Sequence, residues 1–182
     1  DHDGDLSAML MPAWRRPDTQ AYFNNVRGFS YKGNFRSTDD PIIETQGDGE
    51  GSLLLFRDSF GVALYPNLKG LTPGMHGFHV HQNPDCGMTD GGLGMKAGGH
   101  WDPEKKGVHS FPWDKNGHKG DLPGLFVAAD GTAVTPVLAP KLKSVNELKG
   151  HSLMIHVGGD NYHDHPAKLG GGGARMACGI IK

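Results

Sequence analysis

Residues that favour turns interrupt this chain about every ten positions, which restricts it to short elements. Glycine occupies 29 of the 182 positions, about twice its average share, and Pro, Asn and Asp add further breaks. Apolar residues at the spacing of a helix are hard to find. Short strands between regular turns are typical of an all-β sandwich or barrel. The sequence therefore predicts an all-β fold, and its length fits one domain with its own core.

Apolar runs locate the individual strands. Residues 51–58 (GSLLLFRD) and 61–68 (GVALYPNL) are predicted to form a hairpin. A second pair of strands is expected on either side of Asp130–Gly131, at a type I′ turn. Single strands are predicted at 77–82 (GFHVHQ), 153–157 (LMIHV) and 176–181 (MACGII). The remaining N-terminal part divides into a tail or arm over 1–20 and, at the start of a domain spanning 21–182, strand-like pieces such as AYFNNV and IIETQ.

Charge and hydropathy exclude two classes of partner. The formal net charge is −2, without a basic run, so the electrostatic signature of a nucleic-acid-binding protein is missing. No apolar segment approaches the roughly 20 residues that cross a bilayer as a helix. The chain begins at Asp1 rather than Met, which fits a mature form whose leader has been removed or, alternatively, a shortened chain.

The two cysteines, Cys86 and Cys178, form neither a CxxC pair nor a zinc knuckle. Reduced buried thiols are the usual interpretation in a cytosolic protein. One long-range disulfide fits better if the protein is exported. The sequence leaves these two alternatives open.

Histidines indicate a metal site. His79 and His81 are two residues apart in a predicted strand, so their side chains share one face. Two neutral imidazoles on one face can begin a copper or zinc site, although such pairs also occur on ordinary surfaces.

The long loop between Asn83 and Leu122 strengthens this interpretation. It carries His100, His109, His118 and Asp121 at spacings of nine, nine and three residues. Three imidazoles and one carboxylate form a complete tetrahedral set for zinc; exposed loop histidines are the less favoured alternative.

A further histidine and carboxylate lie in the strand and loop near the C-terminal end. His156 comes from the predicted strand at 153–157, and Asp160 follows four residues later. Asp160 suits a carboxylate that orients ligand histidines by hydrogen bonding, or an ordinary turn residue in GGDN.

Five segments taken together resemble the copper/zinc superoxide dismutases, specifically their bacterial, exported branch. The resemblance runs from about Gly49 to Ile181. The segments are, in order, GLTPGMHGFHVHQNPDC, AGGHWDPEKKGVH, GHKGDLPGLFV, LMIHVGGDN and DHPAKLGGGGARMACG. The family implies an eight-stranded Greek-key β-sandwich, or flattened barrel, with two long functional loops, and a periplasmic or otherwise exported location.

The resemblance also implies a role for each matching residue. Copper would be bound by His79, His81, His100 and His156, and zinc by His100, His109, His118 and Asp121. His100 would bridge the metals and exchange a proton during Cu(II)/Cu(I) cycling, as superoxide is converted to dioxygen and hydrogen peroxide. Asp160 would hydrogen-bond one ligand histidine of each metal, and Cys86 and Cys178 would form a disulfide. Arg175 would guide the superoxide anion beside the copper, aided at the rim by Lys96 or Lys168.

Several features remain outside these roles. His76 is expected to be a packed structural histidine, His2 belongs to the tail, and His151, His163 and His165 are expected on surface or loop positions. Gln82 stands where the family usually has Glu. Trp113 suits an interface or a loop plug, so a monomer and a homodimer both remain open. A non-catalytic carrier of copper and zinc, and an interaction module using the N-terminal arm, are the alternative functions.

Overall fold

Antiparallel strands carry the described fold. The computed structural model describes residues 29–30, 50–58 and 60–181, of which 29–30 and 50–58 are described by their backbone. The strands are β1 (Phe29–Ser30), β2 (Glu50–Asp58), β3 (Gly61–Lys69), β4 (Gly74–His76), β5 (Phe78–His81), β6 (Leu125–Val127), β7 (Val137–Ala139), β8 (His151–His156) and β9 (Arg175–Ile181). Single 3₁₀ turns occur at Met95–Ala97, Val145–Leu148 and Lys168–Gly171. The predicted arm, with His2, and the pieces AYFNNV and IIETQ lie outside the described residues.

The strands form three hydrogen-bonded groups, ordered β1-β2-β3-β7, β4-β6 and β5-β8-β9. Every pair is antiparallel, and the connections that pass between the groups give the Greek-key arrangement. The predicted hairpin of β2 and β3 is confirmed, with Asp58 opposite Gly61. Gly61 is required there, because a β-carbon would lie 2.3 Å from the Ala139 carbonyl oxygen of β7.

The predicted all-β Greek-key fold is therefore confirmed, although the described residues form nine strands instead of eight. Part of the difference lies at Gly77, which separates β4 from β5. Its N–H donates to the Gly158 carbonyl and its own carbonyl accepts from the His156 N–H, both at 2.8 Å. The chain thus changes sheet at Gly77.

The predicted pairing around Asp130–Gly131 is wrong. β6 pairs with β4, whereas β7 pairs with β3. The turn is closed by the Gly131 N–H on the Ala128 carbonyl at 2.9 Å. Gly131 is left-handed at a φ of 85°, but Asp130 is not, so the turn cannot be type I′, which needs two left-handed residues.

Strand β5 connects the core to the face that carries chemistry. Phe78 and Val80 are fully buried in the hydrophobic core. Because side chains alternate along a strand, His79 and His81 point to the other face, and both are also buried. The metal-ligand candidates are therefore held on a strand that the core itself fixes in place.

A disulfide joins the first long loop to the last strand. Cys86 and Cys178 are bonded, with their Cα atoms 5.7 Å apart. This decides between the two alternatives left open for these residues in favour of the oxidised pair. Among the described residues, no helix is long and apolar enough to cross a membrane.

Candidate metal centre

The first long loop returns twice to the free edge of β5. The Trp101 N–H donates to the Val80 carbonyl at 2.8 Å, and the Val80 N–H donates to the Gly120 carbonyl at 2.9 Å. These contacts set His100 opposite His81 and Asp121 opposite His79. Gly120 permits the approach, since a β-carbon would lie 2.4 Å from the Val80 carbonyl oxygen.

Four histidines form the first cluster. Ligand nitrogens of His79, His81, His100 and His156 lie within 4.8 Å of one another, and all four residues are buried. Backbone carbonyls fix two of the tautomers: His81 Nδ1 lies 2.8 Å from the Gly98 oxygen, and His156 Nδ1 lies 3.0 Å from the Gly173 oxygen. A carbonyl can only accept, so Nδ1 carries the proton in both rings. The two Nε2 lone pairs then face each other at 3.3 Å.

Two more open nitrogens complete this cluster. His79 donates Nε2–H to the Asp160 carboxylate at 2.8 Å, which leaves its Nδ1 as an acceptor. His79 Nδ1 and His100 Nε2 are buried and have no hydrogen-bond partner. Buried acceptors without a donor are costly, and four of them directed at one another suit a cation that accepts imidazole ligands, such as copper or zinc.

A second cluster surrounds one oxygen of Asp121. Its Oδ1 lies 2.9 Å from Nδ1 of His100, 2.9 Å from Nδ1 of His109 and 3.3 Å from Nδ1 of His118. Tetrahedral zinc with ligand bonds of 2.0–2.1 Å holds its ligands about 3.3 Å apart. The donor set of three nitrogens and one carboxylate oxygen therefore fits zinc.

His79 also approaches this second cluster, since its ligand atom lies within 4.8 Å of those of His100, His109 and Asp121. The Nε2–H of His79 is already donated to Asp160, and its free Nδ1 belongs with the first cluster. His118 offers a nearby fourth donor, because its Nδ1 lies 3.3 Å from Asp121 Oδ1. Among the residues that the structure describes, only His100 presents one nitrogen to each cluster, so the two clusters meet at its ring.

Asp160 joins the clusters from behind. It accepts Nε2–H of His79 on Oδ2 at 2.8 Å and Nε2–H of His109 on Oδ1 at 2.7 Å. It also accepts the Tyr162 N–H two residues later, so both roles considered for Asp160 are present in one side chain. Gly170, at a φ of +76°, covers it closely; a β-carbon there would lie 2.0 Å from Oδ1.

Protonation differs between the clusters. Burial lowers the pKa of His79, His81 and His100 and brings the pKa of His156 to about 4. These rings are neutral at pH 7, as metal ligation requires. Burial would also lower the pKa of His109, but the nearby carboxylates of Asp121 and Asp160 outweigh it and raise that pKa to about 9.

Zinc uptake by the metal-free protein is expected to release a proton. His109 must lose its charge to bind a metal, so zinc should displace about one proton at pH 7 and copper at the first cluster almost none. Apparent zinc affinity should rise about tenfold per pH unit and level off above pH 9. The sign agrees with a raised pKa: the charged His109 stabilises the metal-free fold below about pH 6.5, and this is lost towards pH 9.

Titration of each metal into weakly buffered protein with a pH indicator measures this release directly. Equal release for the two metals would contradict the assignment of the charged histidine to the second cluster.

An open cleft of about 420 Å³ leads to the first cluster. Its walls include His81, His100 and His156, with Arg175 and Lys168 beside them. Arg175 is half-buried and donates Nη1–H to the Gly94 carbonyl at 2.9 Å, which fixes its direction, and a guanidinium keeps its charge near neutral pH.

The two rim lysines differ in position. Lys168 lines the cleft, as expected. Lys96 does not; its side chain lies against Gly87 instead.

The other described histidines lie outside both clusters. His76 is buried and its ring contacts the His156 and Thr72 carbonyl oxygens at 2.7 and 2.6 Å, as a packed structural histidine should. His163 and His165 are exposed, as expected. His151 is half-buried at the start of β8, hydrogen-bonds the Gln82 carbonyl and packs on Trp101.

Lys141 was not predicted to lie near the metal centre, but its ammonium donates to the Asp114 and His118 carbonyls at 3.0 and 2.6 Å. A lone lysine between Pro140 and Leu142 carries no local signal of such a contact.

Fold and site together define a class: a Greek-key β-sandwich metalloprotein with two adjoining sites that share one imidazole. Comparison with known proteins agrees. Residues 50–181 match the copper/zinc superoxide dismutase family. The copper–zinc superoxide dismutase of Actinobacillus pleuropneumoniae is 57% identical over 136 residues, which are 72% of each chain.

Two solved structures are also similar. The copper/zinc superoxide dismutase from Brucella abortus has a TM-score of 0.68 and 49% identity, over 72% of this chain and 88% of that one. The monomeric copper, zinc superoxide dismutase from Salmonella enterica has a TM-score of 0.63 and 48% identity, over 75% and 94%.

The chain belongs to the copper/zinc superoxide dismutase family. It is an oxidoreductase that converts superoxide to dioxygen and hydrogen peroxide, with copper and zinc as its metals. A non-catalytic carrier and an interaction module, the two alternatives, are not supported.

Proposed function

We propose that His79, His81, His100 and His156 hold copper, and that His100, His109, His118 and Asp121 hold zinc. The observation that carries this assignment is the ring of His100. Its Nε2 is buried without a partner beside the first cluster, while its Nδ1 lies 2.9 Å from Asp121 Oδ1. One imidazole thus belongs to both donor sets.

When bound, copper would supply the one-electron redox chemistry, and zinc, which has no redox chemistry, would supply a fixed positive charge. His100 Nε2 is the atom that takes up and returns a proton, because Nδ1 of the same ring is one of the proposed zinc ligands. Asp121 helps to hold Nδ1 of His100 in this position, because the carboxylate is itself fixed by the Ser110 N–H, which donates to its Oδ2 at 3.0 Å. Two superoxide anions and two protons then give one dioxygen and one hydrogen peroxide.

Arg175 is proposed to guide the anion. It lines the same cleft as His81, His100 and His156, and the Gly94 carbonyl holds its guanidinium in place. The whole chain carries a formal charge of −2, so attraction of an anion depends on local positive charge in this cleft.

Replacement of Arg175 by alanine is expected to slow superoxide consumption about tenfold or more and to flatten its dependence on salt, because steering contributes roughly that much to association. Copper and zinc content should not change. Pulse radiolysis across ionic strengths gives the measurement, and Lys96→Ala, outside the cleft, is the matched control. An Arg175→Ala protein with parental kinetics at every salt concentration would remove Arg175 from the mechanism.

We also propose an exported, periplasmic location. The Cys86–Cys178 bond supports it, since disulfides persist in oxidising compartments. Fractionation of the natural host should place the protein and its activity outside the cytoplasm; recovery with cytosolic markers would contradict this.

A homodimer is proposed to use the exposed aromatic side chains of the first loop. Trp113 is 68% exposed and stacks on Phe111 at 4.8 Å, which in turn packs near Tyr162. Its exposure argues against a loop plug. Sedimentation should give a dimer that Trp113→Glu converts to a monomer. The Salmonella enterica relative is named as monomeric, and a monomer at all concentrations would overturn the proposal.

A further inference from the structure

A second cleft lies outside the metal centre. It measures about 350 Å³ and shares no lining residue with the cleft that leads to copper. Basic side chains and one indole dominate its walls. These residues, here named the lysine cleft, are Lys106, Lys115, Lys119, Lys141, Lys143 and Trp113.

The carboxylates of the lysine cleft are already engaged. Asp102 accepts the backbone N–H groups of Lys106 and Gly107 at 2.9 and 2.8 Å. Glu104 lies 3.5 Å from the Lys106 ammonium. Both carboxylates keep their negative charge, so they offset two of the five lysine charges in the cleft.

Among those lysines, Lys119 pairs with Glu147. Lys115, Lys141 and Lys143 have no ion pair among the described residues. Five lysines and two carboxylates line the cleft, so its walls are positive overall in a chain whose formal charge is −2.

Lys141 is the fixed member of the group. Its side chain is half-buried, and its ammonium donates to the Asp114 and His118 carbonyls. An ammonium has three N–H groups, so one remains for a ligand. Because the two carbonyls already hold the cation, a ligand that binds it does not have to order a flexible side chain.

Trp113 supplies a flat wall. Its ring lies nearly parallel to that of Phe111, with an interplanar angle of 15°, so the indole is held although it is exposed. Lysine ammonium groups bind phosphate oxygens as point charges, and an indole face can stack on a ring attached to the phosphates.

We propose that the lysine cleft is a binding site for an anion that carries two or more phosphate groups. Lys115, Lys141 and Lys143 supply the cations and Trp113 borders the site, so the ligand and the proposed dimer contact would compete for the indole of Trp113. All candidate ligands share two linked phosphate groups. The indole of Trp113 would favour those that also carry a flat ring. The site is separate from the copper cleft, with which it shares no lining residue, although Lys141 also contacts the backbone carbonyl of His118.

The test titrates the metal-loaded full chain with inorganic pyrophosphate, followed by calorimetry and by tryptophan fluorescence. We expect saturable binding that weakens with salt and changes the fluorescence of Trp113. The double variant Lys115→Gln/Lys143→Gln should bind about tenfold more weakly or worse, since each tenfold corresponds to about 1.4 kcal/mol. Lys105→Gln/Lys149→Gln, with two exposed lysines outside the cleft, is the matched control and should bind as the parent does.

Further measurements decide the alternatives. Trp113→Phe should abolish the fluorescence change but keep the binding heat. Tighter binding of ADP than of pyrophosphate would show that the Trp113 indole stacks on the ring of the ligand. Equal binding would show that the site recognises only the phosphates. Copper and zinc are assayed after each titration, because pyrophosphate also chelates metals. No saturable binding, or binding abolished by Arg175→Ala but unchanged by Lys115→Gln/Lys143→Gln, would overturn the proposal.

Discussion

Replacement of Asp160 by asparagine is expected to weaken zinc binding about 10–100-fold and to loosen copper as well, the range typical for residues that orient metal ligands. The carboxylate accepts N–H groups from His79 and His109 at once. An asparagine side chain offers one acceptor oxygen and turns its NH₂ group towards the other histidine. That ring must then move its proton to Nδ1, the nitrogen needed for the metal.

Competition with a chromophoric chelator at pH 7 measures both affinities. Asp130→Asn is a suitable control, because Asp130 is an exposed turn residue that hydrogen-bonds Thr132. Zinc and copper affinities in Asp160→Asn equal to those of the control would show that the ligand histidines orient themselves without this carboxylate.

Removal of the disulfide is expected to be the largest single loss of stability. Cys86 and Cys178 close a loop with a sequence separation of 92, for which the chain-entropy estimate is about 4–5 kcal/mol. A chain of this size loses about 2–4 °C in Tm for each kcal/mol. The double variant Cys86→Ala/Cys178→Ala should therefore melt about 10–15 °C lower.

The comparison is made on metal-free protein, because bound metals would stabilise both forms by mass action. Reduction of the parent by a thiol reagent should lower its Tm by a similar amount and leave the variant unchanged. A difference of less than about 3 °C would show that the first loop is held to β9 by its other contacts.

Local pattern predicted the strands and residue types well where one segment decides them. The alternation in 77–82 predicts His79 and His81 on one face, and the structure places them opposite the core face of Phe78 and Val80. The hairpin of β2 and β3 followed from two alternating runs with a short break. Such features depend on neighbours along the chain, which a sequence displays directly.

Features that depend on contacts between residues far apart in sequence could not be predicted from local sequence patterns. β6 and β7 look like a hairpin in sequence, but each finds a better partner in a different sheet. The way in which the first loop folds back on β5 depends on the space left by Gly120 against Val80. The contact of Lys141 with the His118 carbonyl spans 23 residues and has no local sequence signal.

The metal centre itself stands between these cases. Donor residues could be named because the chain resembles a known family, whereas spacing alone left zinc, copper and surface histidines open. The structure adds the tautomers: carbonyls of Gly98 and Gly173 and the carboxylate of Asp160 decide which nitrogen of each ring is left for a metal. Those partners lie 17 or more positions away in sequence.

Strand β5 contributes to both the hydrophobic core and the metal centre, so stability and metal binding depend on the same four residues. Strand β5 has only four residues. Phe78 and Val80 on one face pack into the hydrophobic core, and His79 and His81 on the other face belong to the metal centre. Any displacement of that short segment disturbs both sides together. Heating and metal removal should therefore both disturb β5 first. Substitutions in this strand should be tolerated less well than substitutions elsewhere in the described fold.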